Sequence, residues 1–395
     1  MKLLMVSPNL PRPMSGASTR NYHLLKTLAR QHRVSLLAQV DSAEAAAYSD
    51  TPQLEDIAEN VQLVALPASH PKRLRQFMSV AQGKSYSLGV SRVEKVQKAL
   101  DVLLSHDHYD AVLFESVLLA GYRLPQHIRV IIDQHNIEHE LLYRTCQYER
   151  KWLRKWYNWW EYRLLKPAEI ELCRKADLIL VTSERERLLL QSLLPGNVSE
   201  VVPNGVDTET FQEICVEQEV AKQIIFTGAM DYYPNIDAVL SFAQRCWPRI
   251  RIQIPDATWQ IVGRNPPPEV QRLAGVPGIN VTGTVPDVRP YLAASAVAIA
   301  PLSIGGGTRL KILEALAMRK AVVSTSLGCE GLAVEPGKHL IAADQPEVFA
   351  QAVIELIGNP GRRRALGIAG RSLVEAEYSW ERCGDQLLHA LEHVN

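Results

Sequence analysis

The sequence predicts an α/β protein built from two domains, each a sheet with helices packed against it. Short apolar runs alternate with amphipathic helical patterns along the chain, which is the order expected for strands joined by helices. The length of 395 residues exceeds that of an ordinary single domain and suits two domains of this class. The turn at residues 203–205 interrupts the pattern near the middle, so we place the domain boundary there.

The charge composition excludes a general attraction to polyanions. The 43 lysines and arginines balance 43 aspartates and glutamates, so the formal net charge is zero. A protein without a global field does not gather nucleic acid or other anionic polymers. We therefore expect no nucleic-acid partner, and any bound anion has to be held by a local site.

The cysteines and the apolar runs indicate a cytoplasmic protein. The six cysteines are scattered, with no C-x-x-C pair and no histidine at metal-ligand spacing, so we expect reduced thiols and no bound metal. The N-terminus has too short an apolar run for a signal peptide, and no stretch reaches the length of a membrane span. At most, the protein would lie peripherally at the inner face of a membrane.

The first predicted strand, residues 2–7, is followed by a loop that contains Gly16 and then by a helical pattern over residues 19–30. Open α/β folds bind ligands at the carboxyl ends of their strands, which is where this loop lies. Gly16 could therefore offer a backbone N–H to a phosphate. The alternative is an ordinary loop glycine.

A histidine follows a buried strand that ends near Asp133. The imidazole of His135 can point into the crevice at the strand end, with Asp133 and Asn136 available to orient it. Polar residues in such positions are biased toward functional sites. The alternative is that His135 lies on the surface and that Glu138 or His139 does the polar work.

Four tryptophans recur at helical spacing in the segment 151–173, among several basic residues. Tryptophans on one face with cations around them would suit a membrane interface and a lipid-linked acceptor. We favour the other interpretation, a helix packed on the core through its tryptophan face, because apolar helical stripes are usually core. The residues concerned are Trp152, Trp156, Trp159 and Trp160, with Lys151, Arg154, Lys155, Arg163 and Lys166.

A glycine-rich turn between a strand and a helix is the most informative part of the chain. Three consecutive glycines, Gly305, Gly306 and Gly307, let the backbone approach a ligand closely. The free N–H groups and the positive dipole end of the following helix suit a phosphate. Arg309 and Lys311 add two cations beside the turn, which predicts a bound diphosphate.

Glu314 lies one turn further along the same helix. Its carboxylate could accept hydrogen bonds from the hydroxyls of a ribose attached to the diphosphate. The spacing fits neither the P-loop, which needs Gly-Lys-Ser/Thr, nor the G-x-G-x-x-G dinucleotide fingerprint. The alternative interpretation is a turn whose glycines only permit tight packing, with Arg309 and Lys311 as solvated charges.

Gly228, Gly263 and Val285 lie in the loops that follow three predicted strands of the second half. In a doubly wound sheet the loops of Gly263 and Val285 would lie side by side, where backbone groups could hold a nucleobase. Strand-end turns explain both glycine positions equally well. Backbone contacts of this kind do not reveal which base is bound.

The motif GGGTRLKILEA, which includes Thr308, resembles the donor-binding core of the retaining family-four glycosyltransferases. The nucleotide-sugar site of that family carries two glutamates separated by seven residues. Glu314 matches the second glutamate, while Gly306 occupies the first position. One branch of the family reads GGGTRLKILEA at this place, and this chain matches that branch.

The resemblance implies donor contacts at other positions as well. Gly16 matches a first-loop glycine near the donor phosphates, and His135 matches a strand-end histidine near the donor sugar. Many relatives carry an arginine and, five positions on, a lysine after the strand that ends at Gly228, whereas this chain has Ala229 and Pro234 there. The phosphate-neutralising role then falls on the two cations of the glycine-rich turn.

The fold that the resemblance implies is GT-B, two Rossmann-like doubly wound domains facing across a cleft. We expect an acceptor-side domain over residues 1–204 and a donor-side domain over residues 205–376. A terminal helix over residues 377–395 would cross back to the first domain.

The activity implied is retaining transfer of a sugar from a nucleoside diphosphate sugar to an acceptor hydroxyl, without a cofactor or a metal. Glu314 would hold the ribose of the donor. The acceptor would be a saccharide, a lipid-linked molecule or a small molecule, in glycan, glycolipid or glycoside biosynthesis. Two alternatives stay open: a phosphorylase or epimerase on the same scaffold, and a non-catalytic protein that binds a nucleotide sugar.

Overall fold

The computed structural model of the protein describes residues 1–12, 16–41, 44, 54–66, 72–149, 151–214, 220–305 and 309–392. The chain forms two compact units, one made of Met1–Pro203 with Cys383–Asn395 and the other of Asn204–Arg382. Each unit contains one sheet, and its paired strands run parallel. The predicted α/β class with two parallel sheets is confirmed.

The sheet of the first unit has seven strands in the order β3-β2-β1-β4-β5-β6-β7. Its inner strands are short and almost wholly apolar, as expected where helices cover both faces of a parallel sheet. The strands are β1 (Lys2–Ser7), β2 (Arg33–Val40), β3 (Asn60–Ala65), β4 (Ala111–Phe114), β5 (Arg129–Gln134), β6 (Leu178–Val181) and β7 (Ser199–Val201).

Helices pack against both faces of this sheet. Leu3 and Met5 of β1 belong to one apolar cluster with Leu24, while Leu4 belongs to another with Val96. This alternation follows from the two-residue period of a strand. The helices are α1 (Gly16–Leu28), α2 (Lys72–Ala81), α3 (Tyr86–Ser91), α4 (Glu94–His106), α5 (Glu138–Tyr148), α6 (Trp152–Arg174) and α7 (Glu184–Leu193).

The sheet of the second unit has six strands in the order β10-β9-β8-β11-β12-β13. Its central strand β11 is buried along its whole length. The strands are β8 (Val220–Thr227), β9 (Thr258–Val262), β10 (Ile279–Gly283), β11 (Ser295–Ala300), β12 (Ala321–Ser324) and β13 (Ile341–Ala342). The helices are α8 (Tyr233–Arg245), α9 (Trp247–Gln253), α10 (Pro268–Gln271), α11 (Arg289–Ala294), α12 (Leu310–Ala317), α13 (Pro346–Gly358), α14 (Pro360–Glu377) and α15 (Trp380–Glu392).

Both sheets reverse their strand order at one point. In the first sheet the reversal lies between β1 and β4, and in the second it lies between β8 and β11. Open α/β sheets bind ligands outside the carboxyl ends of the strands at such a switch point. The topology therefore marks the loops after β1, β4, β8 and β11 as the places to look for a site.

The terminal helix α15 is shared between the two units. Its first residues belong to the second unit, where the Trp380 ring lies so close to Gly205 that a Cβ there would be 2.7 Å away. Its last turns belong to the first unit, where Leu387, Ala390 and Leu391 join the apolar cluster of β1 and α1.

The interpretation of the tryptophan segment as a core face is wrong. Helix α6 buries Glu161, Leu165 and Glu169, which lie on the opposite side of the helix from Trp152 and Trp159. Because those buried residues fasten the helix to the unit, the tryptophan side faces outward. No described helix is both long enough and apolar enough to cross a membrane.

Candidate functional site

The loop after β8 and the first turn of α12 come together at the switch point of the second sheet. Lys311 donates a hydrogen bond from Nζ to the Asn235 side-chain oxygen at 2.7 Å, and Nζ lies 3.9 Å from the centre of the Phe226 ring. A Cβ on Gly228 would stand 2.8 Å from the same nitrogen. The ammonium of Lys311 therefore lies against the backbone at the end of β8.

Asn235 holds this arrangement in place. It is buried on α8, and its side-chain amide donates a hydrogen bond to the Ala229 carbonyl at 2.8 Å. That bond fixes which side of the amide carries the oxygen, and the oxygen accepts from Lys311. The place of Asn235 beside the cation is a finding of the structure.

Arg309 is the second cation at this edge. It directly precedes α12 and is buried, with its guanidinium against Gly305, where a Cβ would stand 3.0 Å from one guanidinium nitrogen. Gly305 has a φ of +127°, which favours glycine. The predicted site residues Gly306, Gly307 and Thr308 lie outside the described residues.

The charges at this edge are held in a partly dehydrated place. Burial, and after it the Arg309 charge, lowers the pKa of Lys311 to about 7, against the opposing effect of Glu314. Burial raises the pKa of Glu314 to about 7, against the opposing effect of Lys311. No described residue gives the Glu314 carboxylate a hydrogen bond or an ion pair. The Lys311 ammonium and the Glu314 carboxylate are thus available to a ligand.

The loops after β8 and β9 touch through their backbones. A Cβ on Gly263 would stand 1.8 Å from the Gly228 carbonyl oxygen, so any side chain at residue 263 would force one of the two backbone segments to shift. The Gly263 N–H also donates to the Gly283 carbonyl at 3.3 Å, which brings the third loop alongside. Val285, in that third loop, packs against the apolar cluster that contains α12. The structure thus gathers the predicted loop positions at one edge of the sheet.

A second polar cluster lies at the carboxyl edge of the first sheet. His135 follows β5, and its Nε2 lies 3.1 Å from an Asp133 oxygen and 3.4 Å from a Glu115 oxygen. Arg20 of α1 donates two hydrogen bonds to the Asp133 carboxylate at 2.6 and 2.7 Å. It also donates to the carbonyl of Val202 at 2.9 Å. Arg20, Asp133 and Glu115 are all fully buried.

The carboxylates keep His135 protonated. Burial alone would lower the pKa of His135, but Asp133 and then Glu115 outweigh it and raise that pKa to about 9. Burial likewise opposes ionisation of Asp133, yet Arg20 holds its pKa far below the usual range. Burial raises the pKa of Glu115 to about 7. His135 is therefore a cation at neutral pH, which makes it a hydrogen-bond donor and not a base.

The cluster of Glu115, Asp133 and His135 has the ligand types of a metal site. Arg20, however, binds both oxygens of Asp133 and brings its own positive charge. A metal ion bound here would be repelled by the Arg20 guanidinium, which already occupies both Asp133 oxygens. The geometry is that of a buried ion-pair network.

A cavity of about 200 Å³ opens beside His135, bordered by Pro8, Ser116 and Glu138 among others. These residues come from the loops after β1, β4 and β5, so the cavity lies at the switch point. Burial raises the pKa of Glu138 to about 7, with the Glu169 carboxylate adding to the rise. His139, the alternative candidate, is buried, and its Nδ1 lies 2.8 Å from Glu169 of α6. It therefore helps to hold α5 against α6.

The structure places the predicted residues unevenly. It brings Gly228, Gly263, Gly305, Arg309 and Lys311 to one edge, with Glu314 on the same helix, and it sets His135 at the edge of the other sheet. Helix α1 begins at Gly16, next to residues 13–15, which are outside the description. Sequence reasoning missed Arg20 and Glu115.

Comparison with protein families gives two matches along the chain. Residues 14–210 match a family model described as Glycosyltransferase Family 4, and residues 221–359 match one described as Glycosyl transferases group 1. Among curated proteins, a GDP-mannose-dependent monoacylated alpha-(1-6)-phosphatidylinositol monomannoside mannosyltransferase from Corynebacterium glutamicum is 30% identical over 215 residues. That match covers 49% of this chain and 56%, little more than half, of the relative.

Solved structures share the fold over the whole chain. Sucrose-phosphate synthase from Thermosynechococcus elongatus aligns with a TM-score of 0.74 at 16% identity, covering 100% of this chain and 99% of its own. The Anabaena protein HepE in complex with UDP and glucose aligns with a TM-score of 0.67 at 15% identity, covering 99% of each chain. The two parallel sheets and these neighbours show the GT-B fold. By its two family-model matches, the chain belongs to the family-four glycosyltransferases.

Proposed function

We propose that the protein is a retaining glycosyltransferase whose second unit binds a nucleoside diphosphate sugar at the switch point of its sheet. The observation that carries the proposal is the position of Lys311, whose ammonium lies against the end of β8 beside the buried Arg309. Ala229 and Pro234 stand where many relatives place an arginine and a lysine. Lys311 supplies a cation to that same loop from α12.

The chemistry asks mainly for stabilisation of the departing diphosphate. Preorganised cations in a dehydrated place stabilise developing negative charge far more than they would in water. Arg309 and Lys311 supply two such cations, and a bound diphosphate would in turn favour the ammonium form of Lys311. Glu314, which has no described partner, is proposed to accept the ribose hydroxyls. The reaction as proposed uses no metal and no cofactor.

His135 is proposed to contact the donor sugar as a hydrogen-bond donor. Its Nε2 faces the two carboxylates, and no described residue bonds its Nδ1. Because it is protonated, that nitrogen can donate to a sugar hydroxyl. The proton of the acceptor hydroxyl is proposed to pass to a phosphate oxygen of the donor, on the face that the leaving group vacates. This route transfers the sugar with retention.

The comparisons support the substrate class in outline. HepE was solved with UDP and glucose, and the corynebacterial relative is named for a GDP-mannose donor and a lipid-linked acceptor. We propose a uridine or guanosine diphosphate sugar as the donor. The acceptor is proposed to be a hydroxyl of a saccharide, free or lipid-linked.

The first test separates binding from turnover. Thermal melting with UDP, GDP and ADP and with their glucose and mannose conjugates identifies the donor, because a ligand that binds the folded state raises its apparent stability. Release of nucleoside diphosphate from that donor then shows catalysis. Binding without any release, with or without saccharide acceptors, would favour the non-catalytic alternative, and release of sugar phosphate from added phosphate would favour the phosphorylase.

Arg309→Ala tests the cation directly. We expect it to lower turnover by about 100-fold or more, since removal of one donor to a developing charge has that size. Lys338→Ala is the matched control, because Lys338 is an exposed cation in the same unit. Near-normal turnover in Arg309→Ala, with the control also normal, would refute the assignment.

A further inference from the structure

Large apolar side chains are exposed on three helices of the first unit. Among the described residues, nine of the nineteen exposed large apolar side chains lie on α2, α5 and α6. Isolated exposed apolar residues are ordinary, whereas a concentration of them marks an interaction surface. The nine residues are Leu74, Phe77, Met78, Tyr143, Tyr148, Trp152, Leu153, Trp156 and Trp159.

The aromatic residues of α6 share one side of that helix. Trp152, Trp156 and Trp159 are 74%, 48% and 43% exposed and follow a spacing of four and three residues, which keeps them on one face. Trp160 is half-buried, and its ring stacks on Trp156 at 6.1 Å. Trp160 therefore supports the outward face from behind, and the other three form it.

Cations lie among these tryptophans without acidic partners. Lys155, Arg163 and Lys166 fall on the same side of α6, and no described carboxylate pairs with any of them. The Arg163 guanidinium lies 5.3 Å from the centre of the Trp159 ring. The chain as a whole is neutral, so this local excess of positive charge is a property of the helix.

Helix α2 adds a second apolar strip beside α6. Its residues Gln76 and Ser79 lie next to the Tyr157 hydroxyl of α6. Leu74, Phe77 and Met78 occupy the other side of α2, and Phe77 is 71% exposed. The two helices are thus neighbours, and the apolar side of α2 is turned away from α6, so it is a separate exposed strip.

The position of this surface relates it to the cavity beside His135. Glu169 of α6 accepts hydrogen bonds from the backbone N–H groups of Glu138 and His139, directly after the end of β5. Trp152 precedes Glu169 by seventeen residues of the same helix, which is about 25 Å at 1.5 Å per residue. The tryptophan end of α6 therefore extends beyond the carboxyl edge of the sheet, the edge at which the cavity opens.

We propose that the tryptophan side of α6 forms a docking surface for an anionic lipid bilayer. Tryptophan and tyrosine rings suit the boundary between head groups and acyl chains, and lysine and arginine add attraction to anionic lipids. A protein partner would not require the unpaired cations, whereas an anionic surface matches them. Docking there would bring the cavity edge of the first unit to the membrane, which suits an acceptor presented by a lipid.

The test is sedimentation of the full chain with vesicles, measured without any donor or acceptor. We expect binding to vesicles of phosphatidylcholine and phosphatidylglycerol, weakening as salt is added, and little binding to phosphatidylcholine alone. The triple variant Trp152→Ser/Trp156→Ser/Trp159→Ser should lose about tenfold or more in affinity. The triple variant Lys155→Glu/Arg163→Glu/Lys166→Glu should lose a similar amount on the anionic vesicles.

The matched control is Leu188→Ser/Ile252→Ser, which removes two exposed apolar residues elsewhere and should bind as the parent does. Unchanged melting temperatures show that the variants fold. Equal binding to both kinds of vesicle, or unchanged binding by the tryptophan variant, would overturn the proposal. Self-association that the tryptophan variant abolishes, without vesicle binding by the parent, would overturn it in favour of an interface between copies. None of these results depends on whether the proposed transfer reaction is correct.

Discussion

The carboxyl edges of the two sheets carry charge in opposite ways. At the first edge, the Arg20 cation is matched by Asp133, and the His135 cation by Asp133 and Glu115, all within hydrogen-bonding distance. At the second edge, no described carboxylate forms an ion pair with Lys311, and the nearby Arg309 charge contributes to the low pKa of Lys311. The buried cations of the first edge thus already have carboxylate partners.

This difference suggests that the first edge serves stability and the second serves ligand binding. A buried ion pair is costly to break because the remaining partner is left uncompensated. Burial of the Lys311 ammonium is itself costly, since it lowers the pKa of that group, and an anionic ligand would relieve the cost. The first edge should therefore govern stability, and the second should govern donor affinity.

The largest effect is expected from breaking the first edge. Asp133→Ala leaves the Arg20 guanidinium buried without its carboxylate and should lower the free energy of unfolding by about 3–5 kcal/mol. Urea denaturation measures it. The double variant Arg20→Met/Asp133→Leu should recover much of the loss, since both charges are then absent. A loss below about 1 kcal/mol in Asp133→Ala would mean that the network does not hold the unit together.

Lys311→Met should act in the opposite sense. Burial of the Lys311 ammonium costs free energy, so removing it should leave the stability nearly unchanged or raise it. Affinity for the diphosphate should fall about 100-fold. Calorimetry with the nucleoside diphosphate measures the affinity, and melting measures the stability. A variant that is destabilised yet binds normally would reverse the assignment of the two edges.

The protonation of His135 predicts how stability depends on pH. Its pKa is about 9 in the folded protein against an ordinary value of 6.5, so its contribution is complete below pH 6.5 and is lost as the pH rises through 9. The difference in unfolding free energy between the parent and His135→Gln should shrink by about 1–3 kcal/mol over that interval. A constant difference would show that Asp133 and Glu115 do not stabilise the protonated form of His135.

The smallest effect concerns donor binding at alkaline pH. Because the free enzyme holds Lys311 at a pKa of about 7 and a bound diphosphate favours the charged form, binding takes up a proton. Affinity should therefore fall above pH 7, by at most about tenfold per pH unit. In Lys311→Met the fall in affinity above pH 7 should be absent, and the pH dependence that remains should be that of Glu314, whose pKa burial raises. Equal slopes in the two proteins would place the linked proton elsewhere.

The order of strands and helices could be read from the sequence because each element has its own apolar period. The strand predicted over residues 2–7 is β1 (Lys2–Ser7), and most of the helical pattern predicted over residues 19–30 lies in α1 (Gly16–Leu28). The positions of Arg309 and Lys311 at the start of one helix could be predicted as well, since they occupy one contiguous stretch next to Gly305. Local pattern was sufficient for features that local geometry creates.

The buried network could not be read, because its members meet only through the fold. Arg20 and Asp133 are 113 residues apart, and in the sequence Arg20 looks like a polar position on an ordinary helix. The tryptophan helix failed for a related reason. Its periodicity was correct, but a period does not say which side of a helix meets the core, and the buried glutamates Glu161 and Glu169 decided it.

The reach of Lys311 to Asn235 has a consequence for engineering. If Arg309 and Lys311 bind the donor phosphates as proposed, the phosphate-binding cations lie on one short segment that needs one residue from elsewhere, Asn235 of α8. A relative that carries its arginine and lysine after β8 could be given residues 305–316 of this chain together with that asparagine, and then be stripped of its own two cations. The loop after β8 would thereby be released for redesign toward a different base or sugar.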